Sequence, residues 1–506
     1  MKHKYIFKFL SALLVILMAF SVFACSQGGS GENAKTTVET DSGQNASEES
    51  EPEATEPQRI WSEAPVNDYG GYTFRILSKE AQTADHHWEA FDIVAEEDNS
   101  GDPINDAVYS RNTTIAETYN ISITRVDTAD PAGLASRSVK AGSDDYDLAF
   151  PSLSSAVSAA QNGTFIDLKK MPYIDLEKPW YDQNANAQLS IGGKLYATFC
   201  DFTVLDKNST WVYLFSKQLI KDLELEDPYQ LVREGKWTLD KLTEMCRGAA
   251  KDLDGDGTIT WKDQFGWQGE GWNMYAGVIA SGIQIIQKNA DDLPEYAGLG
   301  DQGLSAFAKL LEVFGDKEMS LRAESVTSYS GNLWNDVMDA SFMEGRILFS
   351  NTGMNRVTLF RSMETDFGII PNPKYDEATP DYYNTLSMGQ ATALCVPATI
   401  ADSEMVAILT DALCAESKYT LIPAYYDVQL KTKFARDEDS AEMLDLIFAS
   451  RRFELSLVYG WGDFSGTFST AMIKNDPNIA SSLEKIEQRL ITAMEKTIAA
   501  YDKNEN

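Results

Sequence analysis

Positive charge and histidine are both scarce in this sequence. Its 43 lysines and arginines face 77 aspartates and glutamates, which gives a formal net charge of −34 at pH 7. A surface of this sign repels nucleic acid, whose binding requires a basic footprint, so nucleic acid is excluded as a partner. With only three histidines, the sequence also lacks Gly-x-Ser-x-Gly, His-Glu-x-x-His and Gly-x-x-x-x-Gly-Lys motifs, the common signatures of several enzyme classes. A glycosidase with two carboxylates leaves no such spacing and stays open.

Cysteine is sparse as well. Besides Cys25, the sequence contains Cys200, Cys246, Cys395 and Cys414, with no C-x-x-C spacing and no adjacent histidine. This spacing argues against a zinc site. Two disulfides remain one alternative. Because Cys246 and Cys414 fall within helical patterns, we favour free buried thiols.

The single long apolar run lies at the N-terminus, where three lysines precede the apolar residues 9–23. The run is shorter than the ~20 residues that a membrane-spanning helix needs, so we expect a cleaved signal. Ala24 directly before Cys25 resembles the bacterial lipobox. The resemblance implies that residues 1–24 are a lipoprotein signal peptide and that Cys25 carries a lipid, which anchors the protein to the membrane without crossing it. An ordinary secretory signal with an incidental cysteine is the alternative.

The next stretch has the composition of a flexible linker. Residues 26–58 contain no aromatic residue and no Leu, Ile or Met, and Gly, Ser, Thr, Glu and Pro dominate. Such a segment cannot bury enough apolar surface to offset its ordering entropy. We therefore predict that residues 25–58 form a disordered acidic tether. A lipid anchor followed by a tether and then a globular body from residue 59 predicts a domain that is held at the extracellular face of a cell membrane.

Alternating strand and helix patterns open the globular body. Strands are predicted over residues 72–77, 121–126 and 146–150, and helices over residues 104–119 and 131–140. This order implies a parallel sheet with helical crossovers. Ligands of open α/β sheets bind beyond the carboxyl ends of the strands. The loops after Leu77 and Phe150 are therefore the first candidate ligand walls.

Six segments follow one another in a recognisable order. They read YDLAFPSLSSAVSAAQNGTFIDL, GGKLYATF, WVYLFSKQLIKDL, KWTLDKLTEM, FMEGRILFSNTGMNRV and DFGIIPNPKYD. In this order and spacing they resemble the extracellular solute-binding lipoproteins of bacterial ABC importers, in the family 1 branch that includes maltose-binding protein. The closest likeness is to the Gram-positive type, and the match covers nearly the whole mature chain.

The resemblance implies an α/β fold of the two-lobed periplasmic-binding-protein type II class. Hinge crossovers are expected near residues 201–206, Ala340 and Gly389. Lobe 1 would then comprise residues 59–203 and 341–389, and lobe 2 residues 204–340 and 390–506. From about residue 400 onwards the patterns are mostly helical.

The resemblance also implies a function. A monomeric receptor of this kind captures a carbohydrate, most often an oligosaccharide, between its lobes and delivers it to the permease subunits of an ABC importer, without catalysis. Two alternatives remain. One is a surface lipoprotein without transport, such as a glycan sensor or adhesion module, and the other is a glycoside hydrolase.

Sugar sites combine aromatic faces, which meet the C–H faces of pyranose rings, with polar groups that bind hydroxyls. The candidate ligand residues on this basis are Trp88, Asp201, Trp211, Trp267, Trp272, Asn273, Asn351, Tyr425 and Trp461. For any one of the aromatic residues, packing in the core is at least as good an interpretation, because large aromatic side chains dominate protein cores. We expect about half of the set to line the cleft.

Residues 252–263 match the EF-hand calcium loop. Asp252, Asp254 and Asp256 occupy positions 1, 3 and 5, a glycine follows at position 6, and Thr258 at position 7 would offer its backbone carbonyl. Asp263 replaces the usual Glu at position 12. Clustered carboxylates repel one another unless a cation neutralises them. The pattern thus predicts a structural Ca²⁺ site, with a plain Asp/Gly turn as the alternative, and a single loop does not favour a calcium switch.

Overall fold

The computed structural model describes residues 59–80, 91–96, 100–330, 332–430 and 438–504. The signal peptide, Cys25, the tether and Trp88 therefore lie outside the described residues. Within these ranges, none of the helices is both long enough and apolar enough to cross a membrane. Cys200, Cys246, Cys395 and Cys414 are buried free thiols, as the helical patterns favoured.

The first sheet forms as its local sequence signals predict. Its elements are β1 (Tyr72–Lys79), α1 (Pro103–Tyr119), β2 (Ile121–Thr128), α2 (Pro131–Ala141) and β3 (Leu148–Phe150). The strand order is β2-β1-β3 and both pairings are parallel. Asp-Pro pairs begin both helices: the Asp102 carboxylate accepts from two backbone N–H groups of α1, and Asp130 caps α2 in the same way.

Residues 151–210 connect the first sheet to the second. Three helices lie here, namely α3 (Leu153–Ala160), α4 (Gln183–Gln188) and α5 (Leu205–Asn208). The resemblance implies a strand at GGKLYATF, leading to the first hinge, but these residues form no regular strand. They make only isolated bridges, such as the one between Thr198 and Leu394, because their partner is an irregular segment rather than a strand.

The second sheet is mixed. The remaining strands are β4 (Trp211–Ser216), β5 (Phe265–Gly269), β6 (Ile286–Lys288), β7 (Pro294–Tyr296), β8 (Ser320–Arg322), β9 (Ile347–Gly353) and β10 (Phe367–Ile370). Five of them form a sheet in the order β10-β4-β9-β5-β8, while β6 and β7 form a separate hairpin. β4 is antiparallel to both of its neighbours, and β5 is parallel to both of its neighbours.

Short helices surround this sheet. They are α6 (Lys217–Asp222), α7 (Pro228–Arg233), α8 (Leu239–Ala249), α9 (Tyr275–Ala280), α10 (Gly300–Gly315), α11 (Ala323–Val326), α12 (Ala340–Met343) and α13 (Asn355–Phe360). A π-helix, Trp334–Asp339, leads into α12. Thr238 caps α8 by accepting the Lys241 N–H at 3.2 Å, as the sequence predicts.

The C-terminal part is largely helical, as expected. It contains α14 (Ser403–Tyr419), α15 (Leu421–Leu430), α16 (Glu438–Ala449), α17 (Leu455–Val458), α18 (Phe464–Ile473) and α19 (Ile479–Lys503). The helix predicted over residues 439–453 ends earlier, at Ala449. The chain turns extended there, because the Arg452 N–H donates to the Asn384 carbonyl at 2.7 Å.

Residues 384–397, here called the crossing segment, run from the second sheet to the first. At its start, the Trp211 N–H donates to the Thr385 carbonyl at 2.9 Å. Further along, the Leu394 N–H donates to Thr198 and the Cys395 N–H to Ala149, at 2.8 and 2.9 Å. The crossing segment is thus hydrogen-bonded to β4 of the second sheet at its start and to β3 of the first sheet near its end.

This path corrects the predicted division into lobes. Residues 341–389 were assigned to lobe 1, but β9 lies between β4 and β5 in the second sheet and β10 lies at the edge beside β4. Residues 390–506 were assigned to lobe 2, but α14 packs in the same buried cluster as β1 and β3. The expected return near Ala340 is therefore wrong. Pairing with β4, which lies far away in sequence, decides where β9 belongs.

Arg451 lies buried beside the first crossing. Its guanidinium donates to the carboxylates of Asp182 and Asp206, with an Nη1–Oδ2 distance of 2.8 Å to Asp206. Burial opposes its charge, but the two carboxylates outweigh burial and raise the pKa of Arg451. Arg451 thus joins α5 to the segment before α4, and it is not the surface residue that its place after a helix suggested.

Removing this cation should strongly destabilise the fold. Arg451→Met leaves two carboxylates without their partner, so we expect the free energy of unfolding to fall by about 3–5 kcal/mol. Arg233→Met is the matched control, because Arg233 pairs with Asp439 and Glu442 at the surface, and its loss should cost less than about 1 kcal/mol. Urea unfolding measures both. Equal losses would contradict the structural role given to Arg451.

Candidate functional site

A cavity of about 240 Å³ lies where several chain segments converge. Its lining comes from the start of β4, the end of β5, the end of β9 with the start of α13, the π-helix and the crossing segment. The lining residues are Trp211, Glu270, Asn273, Trp334, Thr352, Gly353, Asn355, Arg356, Ser387 and Gln390. β5 and β9 are parallel neighbours, so their carboxyl ends open on the same side, which is where ligands bind in such sheets.

The first sheet reaches this cavity through Lys79, the last residue of β1. The Lys79 ammonium donates to Gln390 Oε1 at 2.8 Å and to the Gly389 carbonyl at 3.4 Å. Burial lowers the pKa of Lys79. Because an ammonium can only donate, Gln390 must turn its amide oxygen towards Lys79. The carboxyl end of β1 thus lies directly behind Gln390, while the lining itself comes from the second sheet, the π-helix, α13 and the crossing segment.

Two indole rings form the aromatic part of the lining. Trp211 is 8% exposed, and its Nε1–H donates to the Tyr275 hydroxyl at 3.3 Å. Trp334 is partly buried and lies under the Arg356 guanidinium, 5.5 Å from the ring centroid. Both rings are fixed by neighbours, which suits them to packing against a flat apolar face.

The charged lining residues are Glu270 and Arg356. Arg356 Nη1 lies 2.9 Å from Asp339 Oδ2, and both side chains are buried. Burial raises the pKa of Asp339 to about 6, although Arg356 acts in the opposite direction. Burial, and after it the charge of Glu324, raise the pKa of Glu270 to about 7. Two acids at the cavity thus titrate well above their ordinary range.

The structure brings part of the predicted ligand set to this cavity. Trp211 and Asn273 line it. Asn351 is buried in β9 next to Thr352, and its amide donates to Asn372 Oδ1 at 3.4 Å rather than facing the cavity. Trp272 follows Glu270 by two residues, but its side chain is 54% exposed and is not part of the lining.

Three predicted ligand residues belong to the core instead. Trp267 donates to the Tyr213 hydroxyl, Tyr425 donates to Asn208 Oδ1, and Trp461 donates to Thr497 Oγ1, at 3.2, 3.0 and 2.9 Å respectively. All three side chains are almost completely buried. Since apolar neighbours cover each ring and an internal partner satisfies each polar atom, no surface remains for a ligand. Their assignment to the cleft is wrong.

Asp201 lies in a different cavity, of about 410 Å³, beside α5. There its carboxylate pairs with Lys207 at 3.2 Å and Lys418 at 3.6 Å. The same cavity is bordered by Asp206 and Arg451. Its cations and carboxylates are paired with one another, so Asp201 serves the ion network at the first crossing and not the site between the sheets.

Several lining residues were missed from the sequence. Glu270, Asn355 and Arg356 directly follow β5 and β9, so the strand-end rule could have found them. Trp334 lies in a π-helix, and Ser387 and Gln390 lie in the irregular crossing segment. No local pattern marks these three positions, because tertiary packing alone brings them to the cavity.

The acidic loop adopts a compact turn. Carboxylate oxygens of Asp252, Asp254 and Asp256 all lie within 4.8 Å of one another. Asp252 accepts the Gly255 and Gly257 N–H groups at 2.6 and 2.7 Å. Gly257 has φ of +83°, which explains why the loop requires glycine there. These three carboxylates form an oxygen-rich concavity of the kind that suits Ca²⁺.

Asp263 has another role than the expected fourth carboxylate ligand. Its Oδ2 accepts the Thr260 N–H at 2.7 Å and its Oδ1 accepts the Leu253 N–H at 2.9 Å. These backbone bonds lower the pKa of Asp263. Thr258 donates its own N–H to Asp256 Oδ1 at 2.7 Å. Asp263 therefore closes the loop upon itself, and it does not join the other three carboxylates.

Comparison with known proteins gives a clear result for structure only. The sequence matches no protein-family model and no curated protein. An ABC substrate-binding protein of Listeria monocytogenes, solved with cycloalternan, matches with a TM-score of 0.53 at 14% identity, over 84% of this chain and 99% of that chain. A sugar transporter of Rhizobium etli in an open conformation matches with a TM-score of 0.52 at 15% identity, over 83% and 99%. The GacH receptor of Streptomyces glaucescens, solved unliganded and with acarbose, gives 0.50 at 13%, over 86% and 98%.

These matches confirm the predicted fold class. The chain has the two-lobed α/β fold of ABC solute-binding proteins, with sheets and helices arranged as in those structures. The resemblance stated from the sequence thus holds for the fold, at identities of 13 to 15%. Of the three structures, one is described as an ABC substrate-binding protein, one as a receptor and one as a sugar transporter.

The raised pKa of Glu270 has a consequence for stability. Between its ordinary pKa of 4.5 and about 7, the folded protein keeps a proton there that the unfolded chain has released. The free energy of unfolding therefore falls as the pH rises through this window. Glu270→Gln cannot titrate and therefore does not lose stability in this window. We expect the free energy of unfolding of the variant minus that of the wild type to be about 1–3 kcal/mol larger at pH 8 than at pH 4.5.

Urea unfolding at a series of pH values measures this difference. Glu484→Gln replaces an exposed acid on α19 and is the matched control. Its free energy of unfolding should differ from that of the wild type by the same amount at every pH. If the difference in the free energy of unfolding between Glu270→Gln and the wild type is also independent of pH, the buried environment described for Glu270 is contradicted.

Proposed function

We propose that this protein is an extracellular solute-binding receptor that captures a carbohydrate in the cavity between its two sheets and delivers it to the permease of an ABC importer. The observation that carries the proposal is the position of the cavity. It lies beyond the carboxyl ends of β5 and β9 and next to the carboxyl end of β1, in a fold shared with sugar-binding receptors. Family 1 of the solute-binding lipoproteins is the family that this fold supports.

The chemistry of the lining supports a carbohydrate as the ligand. Trp211 and Trp334 offer flat apolar faces, and Asn273, Asn355 and Gln390 offer amide groups. A pyranose needs both, since its ring carries C–H faces and a rim of hydroxyls. Structures of the same fold hold cycloalternan and acarbose. A ligand of this class is our proposal for this chain.

The small size of the cavity supports a receptor whose two lobes open and close around the ligand. At about 240 Å³ it is smaller than the roughly 300–1,000 Å³ of typical ligand sites. An oligosaccharide would therefore enter only when the two lobes separate, and closure would bury it between them. A closed surface formed in this way is what a permease could distinguish from the empty receptor.

Membrane attachment completes the proposal. The signal at residues 1–24, the lipidation site at Cys25 and the acidic tether to residue 58 support a monomeric receptor held at the extracellular face of the membrane. The tether would let the body reach both free solute and a neighbouring permease.

Trp334 offers the sharpest test of the binding site. We expect Trp334→Ala to weaken binding of a saccharide found by thermal-shift screening at least about tenfold, because one stacking face is lost. Isothermal titration calorimetry measures the affinity. Trp61→Ala is the control, since Trp61 is exposed at the start of the body and should bind as the wild type does.

Two results would count against the proposal. Unchanged affinity of Trp334→Ala would place the ligand elsewhere. Turnover of the bound glycan during long incubation would point to the hydrolase alternative.

We also propose that the loop of residues 252–263 binds Ca²⁺ as a structural ion. Asp252, Asp254 and Asp256 would supply carboxylate oxygens, which is the donor set that Ca²⁺ prefers. The ion would neutralise three acids held close together. Asp263 would support it by closing the loop.

Calcium should then stabilise the wild type and not the loop variant. We expect chelation to lower the melting temperature of the wild type by several degrees, because an ion bound to the native state alone raises stability. Asp254→Asn should abolish this response, and the exposed Asp291→Asn should keep it. Differential scanning calorimetry with calcium and with chelator decides. An identical response of all three proteins would contradict a site in this loop.

A further inference from the structure

We propose that the ligand carries a positively charged nitrogen, as an amino sugar does, and that Glu270 binds this nitrogen. The inference rests on the proposed carbohydrate-binding function and narrows its ligand class. One carboxylate in the lining of the cavity, that of Glu270, has no cation at ion-pair distance among the described residues.

Only two of the lining residues are charged, Glu270 and Arg356. Arg356 is already neutralised, because its Nη1 lies 2.9 Å from Asp339 Oδ2 and both side chains are at most 6% exposed. The guanidinium also lies over the Trp334 ring. Arg356 therefore has its own anion and needs none from a ligand.

Glu270 has no such partner. Across the described residues, no lysine or arginine nitrogen lies within the 4.0 Å of an ion pair from Glu270 or from its neighbour Glu324. Glu324 accepts the Gly271 N–H at 2.7 Å with Oε1, while its Oε2 is buried without a hydrogen-bond partner in the described structure. Glu324 thus lies next to Glu270, outside the lining, and supplies no counter-ion to it.

The nearest other cations do not fill this role. Arg322 ends β8, and its guanidinium lies 5.2 Å from the Phe314 ring centroid. Lys79 lies behind Gln390 and is held by that residue and Gly389, outside the lining. Neither is among the groups whose charge shifts the pKa of Glu270, which are Glu324 and Arg356.

The rest of the lining suits a cationic sugar. Indole faces attract cations as well as C–H groups, so Trp211 and Trp334 favour a ring that bears an ammonium group. Asn273 is 5% exposed, and its amide is directed at Glu270, where it favours the carboxylate form and acts against the rise in the pKa of Glu270. The carboxylate of Glu270 has further acceptor capacity for a charged nitrogen of the ligand.

Burial and the charge of Glu324 hold the pKa of Glu270 at about 7, so the empty site carries its carboxyl partly protonated at neutral pH. An ammonium placed against it favours the carboxylate, and a neutral sugar does not. The acidic protein as a whole, with a net charge of −34, also attracts cationic solutes from solution.

The test compares two tetramers with the same β-1,4 linkage, one of glucosamine and one of glucose, which differ by an ammonium group in place of each 2-hydroxyl. Calorimetric titration of the mature protein at pH 7 and low salt measures both affinities. We expect the glucosamine tetramer to bind at least about tenfold more tightly, as one charge-assisted hydrogen bond provides. The same titrations with the monosaccharides glucosamine and glucose test the preference for a ligand that consists of a single sugar ring.

Two variants assign the preference to Glu270. Glu270→Gln keeps the size of the side chain and removes its charge, and it should reduce the ratio of the two affinities to about threefold or less. Glu484→Gln, exposed near the start of α19, should keep the ratio. A ratio that survives in Glu270→Gln overturns the proposal, because the preference would then reflect the general acidity of the protein.

The outcomes also separate this inference from the proposed function. Equal binding of the amine and hydroxyl sugars overturns the inference and leaves a carbohydrate receptor. Binding of a neutral saccharide in a wider thermal-shift screen, with none of the glucosamine ligands bound, has the same meaning. If no saccharide of either kind binds, the proposed function fails, and the inference fails with it.

Discussion

The crossing segment, residues 384–397, is the constraint on which the rest of the structure depends. Its backbone bonds first to Trp211 in β4 and then to Ala149 in β3, so one irregular stretch is hydrogen-bonded to both sheets. Backbone polar groups that are buried must be paired, and here the pairing partners lie in different sheets. Ser387 and Gln390 lie between the two sets of bonds. The crossing segment therefore brings Ser387 and Gln390 to the cavity lined by the ends of β5 and β9.

Charge is organised around the same junction. Arg451 neutralises Asp182 and Asp206 beside the first crossing, and Arg356 neutralises Asp339 beside the cavity. Among the described residues, Glu270 borders the cavity without a lysine or arginine at ion-pair distance. This unpaired carboxylate and the two indole rings together mark the site.

The sequence predicted the first sheet because each of its elements carries a local signal, such as the Asp102-Pro103 start of α1. It could not place β9, since the strand belongs beside β4 only through long-range pairing. The aromatic residues show the same limit. Trp211 and Trp267 both lie in strands, but Trp211 begins β4 at the cavity while Trp267 faces Phe314 inside the core. Both rings are buried, and only the tertiary packing that puts Trp211 at the cavity distinguishes them, which no spacing in the sequence shows.

Hydrogen–deuterium exchange, with and without a saccharide that stabilises the protein, tests the central claim most directly. Binding between the sheets predicts slower exchange in peptides covering residues 270–273, 352–356 and 384–397, because closure buries these backbone groups. Peptides covering residues 179–184 and 418–426, at the cavity beside α5, should exchange at an unchanged rate. Protection confined to those last two segments, with none in the crossing segment, would contradict the account.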